Sequence, residues 1–258
     1  MQKLTLGQHQ VYIYDTTTAL QTAASEHMII KCAEMAQQAK TVSIALSGGS
    51  TPIGIYQNLV NKDFTQALSE SFLSIPAFPW SQALFFFGDE RYVPHDDTQS
   101  NYRMASESFL KAAAVDDKQI HPIPTHCEQA RLCAQQYVDE LGVLPQQQGF
   151  PVFDYMLLGM GDDGHSASLF PETDIIENYE SAAAAVFVEK LNSWRISLTF
   201  PVLNQARVCC VLAAGEAKAP VLAEVLQNKS KKYPIGMIDN PNGVIWFIDK
   251  AAASQLTI

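Results

Sequence analysis

Apolar positions along the chain alternate between short continuous runs that end at glycine and longer stretches with near-helical spacing. Val11–Tyr14 reads as a short strand, and Thr16–Gln38 as a helix, capped by Thr16 and carrying Ala19, Ala23, Ile30 and Ala33 on its apolar side. Thr41–Leu46 (TVSIAL) is a β-branched, apolar run that stops at Ser-Gly-Gly, the pattern of a central parallel strand covered on both faces. The same grammar returns at Ala83–Phe87 before Gly88, Phe153–Leu158 before Gly159, Val208–Ala213 before Gly215, and Val244–Ile248. Helical patterns at Tyr102–Ala113, Glu128–Leu141 and Lys218–Leu226 lie between them, while Ala184–Glu189 and Trp194–Thr199 read as paired strands turning at Asn192. Strands separated by helices imply βαβ units, so the expected fold is α/β, a mostly parallel sheet with helices on both faces in one domain spanning residues 1–258. Ligands of such sheets bind outside the carboxyl ends of the strands, and three polar blocks with chemically suited residues each follow a predicted strand.

Composition narrows the function classes. The 258 residues, 47% of them hydrophobic, suffice for one large core. No stretch approaches the ~20 apolar residues of a membrane span. The start, MQKLTLGQHQVYIYD, has no basic region leading into an apolar run, so a cytoplasmic protein without a membrane partner is expected. A formal charge of −10, with no basic cluster larger than Lys229, Lys231 and Lys232, argues against nucleic acid as a partner. An anion would have to be caught locally, and Arg91, Arg103 and Arg195 lie in or near the polar blocks. The five cysteines (Cys32, Cys127, Cys133, Cys209 and Cys210) form no pair of CxxC motifs, which predicts free, buried or half-buried thiols and neither a disulfide framework nor a zinc site.

The first block, Leu46–Pro52 (LSGGSTP), joins a buried strand to a segment whose Pro52 suits the first turn of a helix. Gly48 and Gly49 let the backbone approach a ligand closely, and Ser50, Thr51 and the free N–H groups of a helix start favour an anion. The second block, Phe87–Met104 (FGDERYVPHDDTQSNYRM), sets Asp89, Glu90 and Arg91 at a strand end, with Ser100 and Asn101 positioned to begin a helix. Arg91 suits a bidentate contact to phosphate or a sugar carboxylate. His95, beside Asp96 and Asp97, reads as a solvated histidine.

The third block, Asp154–Pro171 (DYMLLGMGDDGHSASLFP), surrounds His165 with Gly159, Gly161 and Gly164 and with Asp162 and Asp163. Tight glycine spacing aims the imidazole and leaves room for a substrate. An imidazole takes a proton from water near neutral pH and returns it within one turnover, and Asp163 would fix its tautomer. Both Asp163 and a bound phosphate favour the protonated ring, which places the expected midpoint above ~6.5 unless burial outweighs them. With no GxSxG elbow and no HExxH, water is the simpler nucleophile and no metal or other cofactor is called for.

In this order the three blocks resemble the 6-phosphogluconolactonase family, GMGDDGHSASLFP most specifically and LSGGSTP least. RISLTFPVLNQARV at Arg195–Val208, GEAKAPVL at Gly215–Leu222 and GVIWFIDKAAA at Gly243–Ala253 extend the likeness over nearly the whole chain. The resemblance implies a Rossmann-like, doubly wound fold, a phosphosugar lactone as substrate, and a monomer or small homo-oligomer. It implies that Gly48–Thr51, Arg91 and Lys218 bind phosphate and sugar, with Asp89, Asn101 and Arg195 as further binding residues, and that His165 is the general base. Two departures bear on local loop shape: Glu172 stands after Pro171 where glycine is common, and Leu191–Trp194 replaces a proline-rich lead into the RISLT strand. The related glucosamine-6-phosphate deaminases continue from the histidine block as AFNEP and have DEYVGL where this chain has DERYVP. A phosphosugar-sensing regulator of the same fold would need a DNA-binding segment, for which a first strand starting by residue 11 leaves no room.

Overall fold

The computed structural model describes residues 1–70 and 75–257. Its strands are β1 (Gln2–Leu6), β2 (His9–Tyr14), β3 (Val42–Leu46), β4 (Ala83–Phe87), β5 (Asp89–Arg91), β6 (Ile120–His121), β7 (Gln146–Gln147), β8 (Phe150–Pro151), β9 (Tyr155–Gly159), β10 (Ala183–Val188), β11 (Ser193–Leu198), β12 (Val208–Ala213) and β13 (Ile245–Asp249). The helices are α1 (Thr17–Ala36), α2 (Ser50–Val60), α3 (Lys62–Glu70), α4 (Asn101–Ala105), α5 (Ala130–Glu140), α6 (Phe200–Leu203) and α7 (Ala219–Leu226).

The main sheet has the order β1-β2-β13-β12-β9-β3-β4-β6, and all its pairings are parallel except the β1–β2 hairpin. All five residues of β3 are buried, as a strand covered on both faces requires. From β3 the chain builds outward to β4 and β6, then returns to lay β9 on the other side of β3 before adding β12 and β13. The direction of winding therefore reverses between β3 and β9, where an open α/β sheet leaves a crevice at its carboxyl edge. The first and third polar blocks are the loops leaving those two strands.

Several elements differ from the sequence expectation. The hairpin strand β1 precedes the first expected strand; its burial alternates only weakly at the sheet edge, which hides it from a hydrophobic pattern. Helix α1 is capped by Thr16, which accepts from Ala19 N at 3.2 Å, but its buried face is Leu20, Ala24, Met28 and Cys32, one position on from Ala19 and Ala23. The helix expected over Tyr102–Ala113 is α only through Ala105 and continues as a π-helical turn over Ser106–Leu110, which packs Phe109 on Tyr56 with ring centroids 4.9 Å apart. Asp89–Arg91 is not the tail of β4. After Gly88 the chain crosses to a second, antiparallel sheet of order β10-β11-β5, whose hairpin turns at Asn192 with φ 45°.

Cys127 and Cys133 form a disulfide, with Cα atoms 5.6 Å apart, where free thiols were expected. The turn into α5 folds six residues back on themselves, a local geometry that cysteine counting does not reveal. Cys32, Cys209 and Cys210 are free and buried, and burial pushes their thiols far up, so they pack as small apolar groups. His95 is also not freely solvated: Nε2 lies 2.8 Å from the Ile123 carbonyl oxygen and the ring packs on Tyr102. Among the described residues no helix is long and apolar enough to cross a membrane.

Candidate active site

Two buried tyrosines pin the strand ends that open the site. Ser47 N donates to the Tyr56 hydroxyl at 2.9 Å and the hydroxyl donates back to Ser47 O at 2.8 Å, closing the end of β3. Tyr137 does the same at the end of β4, with Phe87 N at 3.0 Å and Phe87 O at 2.8 Å. Beyond Ser47 the loop reaches Gly49, whose φ of 99° is in the region that favours glycine, and α2 starts at Ser50. A Cβ on Gly48 would lie 2.0 Å from Asn101 Oδ1, so the loop admits no side chain there.

Asn101 is fixed by Glu90, a residue that sequence reading left without a role. The Glu90 carboxylate is 1% exposed and accepts from Asn101 N at 2.7 Å, Tyr102 N at 2.8 Å, Arg91 N at 2.8 Å and Ser100 Oγ at 3.0 Å. It thereby ties the start of α4 to β5. Burial pushes this carboxyl upward from its ordinary value and the backbone donors oppose it. Glu90→Ala would leave these buried donors without an acceptor and is expected to destabilise the fold by roughly 3 kcal/mol. Denaturant unfolding measures this, and an unchanged midpoint would show that water replaces the carboxylate without cost.

Asp89 is buried, accepts from Ser168 Oγ at 2.6 Å and from Asn101 Nδ2 at 3.2 Å, and so joins the second and third blocks. On its far side β5 pairs with β11 in a register that sets Arg91 opposite Arg195. Two like charges facing each other across a ladder repel. Arg91 Nη1 donates to Gln99 O at 2.6 Å, whereas Arg91 Nε and Arg195 Nε are buried without a protein acceptor. Burial lowers the Arg195 pKa and Arg91 adds to that. Such a pair is stabilised by an anion between or beside the two guanidiniums.

His165 is oriented from two sides. Its Nδ1 lies 2.5 Å from Asp163 Oδ1, and its ring stacks on Phe170 with centroids 4.1 Å apart. The carboxylate selects the tautomer with a proton on Nδ1, which leaves Nε2 as the basic nitrogen. Asp163 Oδ2 in turn pairs with Lys190. Burial pushes the imidazole down to about 4; Lys218 and Arg195 push the same way, and Asp89 and Asp162 oppose. The expected rise above ~6.5 is therefore reversed, because desolvation outweighs the neighbouring anions. The ring is neutral at pH 7, as a base must be.

These groups meet in one cavity of about 220 Å³ at the carboxyl edge between β3 and β9. Gly48, Gly49, Asp89, Arg91, Asn101, His165, Arg195 and Lys218 line it, together with Ser47, Gly159, Met160, Gly161, Ala167, Ser168 and Phe170. Ser50 and Thr51 are not among the residues lining this cavity; they form the first turn of α2, where the Thr51 carbonyl accepts from Gln21 Nε2 at 3.0 Å. Asp163 is held behind His165 and does not line the cavity. Lys218 reaches it from the turn after β12, where it pairs with Asp162. Arg91, Arg195 and Lys218 against Asp89, with Asp162 paired to Lys218, leave the cavity locally positive in a chain of net charge −10. Among the described residues no group of three His, Cys, Asp or Glu side chains converges as a metal site. Of the residues missed, Ser168 and Phe170 lie in the ASLFP motif and Glu90 in DERYVP, but Lys190 has no sequence signal beyond its charge.

Glu172, where glycine is common, has φ 62°, a left-handed conformation that explains why glycine suits the position. Ala167, in the cavity wall, also has positive φ, at 49°.

Comparison with known proteins gives the same picture. The family model described as glucosamine-6-phosphate isomerases/6-phosphogluconolactonase matches residues 15–246. A 6-phosphogluconolactonase of Synechocystis sp. is 35% identical over 218 residues, covering 83% of this chain and 84% of that protein. One from Nostoc sp. is 31% identical over 252 residues, covering 96% and 98%. The solved structure of 6-phosphogluconolactonase from Trypanosoma brucei superposes with a TM-score of 0.80 at 28% identity, over 96% of this chain and 98% of that one.

Proposed function

The chain belongs to the family of glucosamine-6-phosphate isomerases and 6-phosphogluconolactonases, and from that membership we infer that it hydrolyses 6-phospho-D-glucono-1,5-lactone to 6-phosphogluconate, the lactone-opening step of the oxidative pentose phosphate pathway. The observation that carries this reading is a neutral histidine, backed by a carboxylate, in the same cavity as three cations.

In the mechanism we propose, the phosphate is held by Arg91, Arg195 and Lys218, with the Gly48–Gly49 backbone admitting the sugar and Asp89 and Asn101 ordering its hydroxyls. Ser50 and Thr51 then serve as the helix start behind the loop. His165 Nε2 takes a proton from water as the oxygen attacks the lactone carbonyl. Electrons move onto the carbonyl oxygen, and the positive field of the cavity stabilises the tetrahedral oxyanion. Collapse breaks the bond to the ring oxygen, which receives the proton back from the imidazolium. Asp163 keeps Nδ1 protonated throughout, so only Nε2 exchanges protons. Every group needed comes from one chain, so a monomer or small homo-oligomer of a 1–258 α/β domain would serve, and a cytoplasmic location is part of the same proposal.

The amino-sugar branch of the family is the second reading, and Phe170 argues against it. In the alignment of ASLFP with AFNEP, Phe170 stands where the deaminase motif carries its Glu, and here that position is a ring stacked on the histidine. The experiment is to supply freshly generated lactone and, separately, glucosamine 6-phosphate, following acid and ammonia release. Acid release without ammonia is expected, with Arg91→Ala or Lys218→Ala weakening mainly the use of phosphorylated substrate. Deamination with negligible lactone opening would overturn the assignment, and equal activity on unphosphorylated lactone would remove the phosphate site.

A further inference from the structure

Lys190 lies outside all three motif blocks, in the 3-10 turn Glu189–Leu191 at the end of β10. Its ammonium pairs with Oδ2 of Asp163, the carboxylate whose other oxygen holds His165 Nδ1. It also lies 4.9 Å from the ring centroid of Phe170, the residue stacked on His165. One side chain therefore grips both groups that orient the imidazole. We propose that Lys190 is a positioning residue for His165, locking the Asp163 carboxylate and the Phe170 ring to the β10–β11 hairpin that also carries Arg195.

The surroundings explain why a brace is needed at this point. Phe170 lines the His165 cavity on one side and a second cavity, of about 620 Å³, on the other. Asp163 and Lys190 line that second cavity too. Phe170 is itself buried, but with a cavity on either side of it the wall behind the imidazole has less packing than the core to hold it in place. An ion pair to a hairpin turn adds to that hold. The Lys190 side chain is 52% exposed, so the pair adds little to folding stability, and its value lies in geometry.

The lysine has a second consequence, through charge. The charged groups facing His165 are Asp162 and Asp163 from its own loop, Asp89 from β5, Arg195 from β11 and Lys218 from the turn after β12. Tyr233, after α7, packs as an uncharged ring against the neighbouring Gly164. Lys190 acts through Asp163: a cation on one carboxylate oxygen weakens the pull of the other on an imidazolium. Removing it would let the imidazole hold its proton to higher pH.

The catalytic part of this proposal rests on the lactonase reading; the titration part does not. Lys190→Met keeps the aliphatic stem and removes the charge, and Lys190→Arg keeps the charge. In lactone hydrolysis Lys190→Met is expected to lower kcat on the order of 10-fold, less than the ~10²-fold that a 1 Å misplacement costs, with KM unchanged. In substrate-free protein the imidazole midpoint of His165, followed by NMR, should rise from about 4 in Lys190→Met. Lys190→Arg should restore both quantities. A purely structural role would lower Tm and leave kcat and midpoint alone. The proposal is overturned if the midpoint of Lys190→Met fails to rise, if kcat equals that of the parent, or if only KM changes. If the parent protein does not open the lactone, the function assignment fails, and the NMR titration still decides whether Lys190 acts on His165.

Discussion

His165→Ala should lower kcat by a factor on the order of 10² to 10⁴ while the protein stays folded, because general base catalysis contributes that much and a loop imidazole little else. Circular dichroism and product binding would establish that the variant is intact, and spontaneous lactone hydrolysis must be subtracted from every rate. A folded variant that binds phosphorylated product and turns over at the parent rate would transfer the role to a carboxylate. Asp89 is poorly suited to it, since both its oxygens accept hydrogen bonds from Ser168 and Asn101. The pH dependence follows from the same residue. With the imidazole pushed down to about 4 by burial, the rate should hold as pH falls through ~6.5 and decline only in more acidic solution, somewhat earlier when a phosphate anion is bound. An acid limb centred at or above ~6.5 would mean that the anions dominate. Stability should move with it: unfolded protein protonates this histidine near ~6.5 and folded protein only near 4, so stability is lost as pH falls through that window.

Gly161→Ala is expected to be almost as damaging, without touching a reacting group. A Cβ there would lie 2.1 Å from His165 Cε1 and Nδ1 and 2.7 Å from Asp163 Oδ1, far inside contact distance. The atoms in the way belong to side chains that can rotate, so folding absorbs the methyl group by displacing the imidazole and its carboxylate together. A displacement of ~1 Å at the reacting group costs on the order of 10² in rate, so kcat should fall about that far with only a small change in Tm. Parent-like turnover in Gly161→Ala would show that the pair relaxes without cost and that its alignment is not critical.

Gly161 also marks the boundary between what the linear pattern reveals and what needs three dimensions. Runs such as Thr41–Leu46 and Val208–Ala213 announced buried parallel strands because they hold no charged side chain and are dominated by β-branched and apolar residues, and the glycine shortly after each announced the loop at the carboxyl edge. The third block revealed its histidine, its neighbouring carboxylate and the glycines that make room for them, since residues two to four apart must meet in a tight turn. The three-dimensional fold decided everything that depends on partners distant in the chain. The β5–β11 register setting Arg91 against Arg195 joins residues more than a hundred positions apart, so neither arginine signals the other. Glu90 looked like one more acid at a strand end until α4 folded its amides onto it. The depressed imidazole arises from desolvation, a property of what packs around the ring, whereas the sequence exposes only the neighbouring charges, and these argued for the opposite shift. Lys190, 25 residues after His165 in the chain, reaches the histidine's carboxylate only because the second sheet turns its hairpin back over the loop.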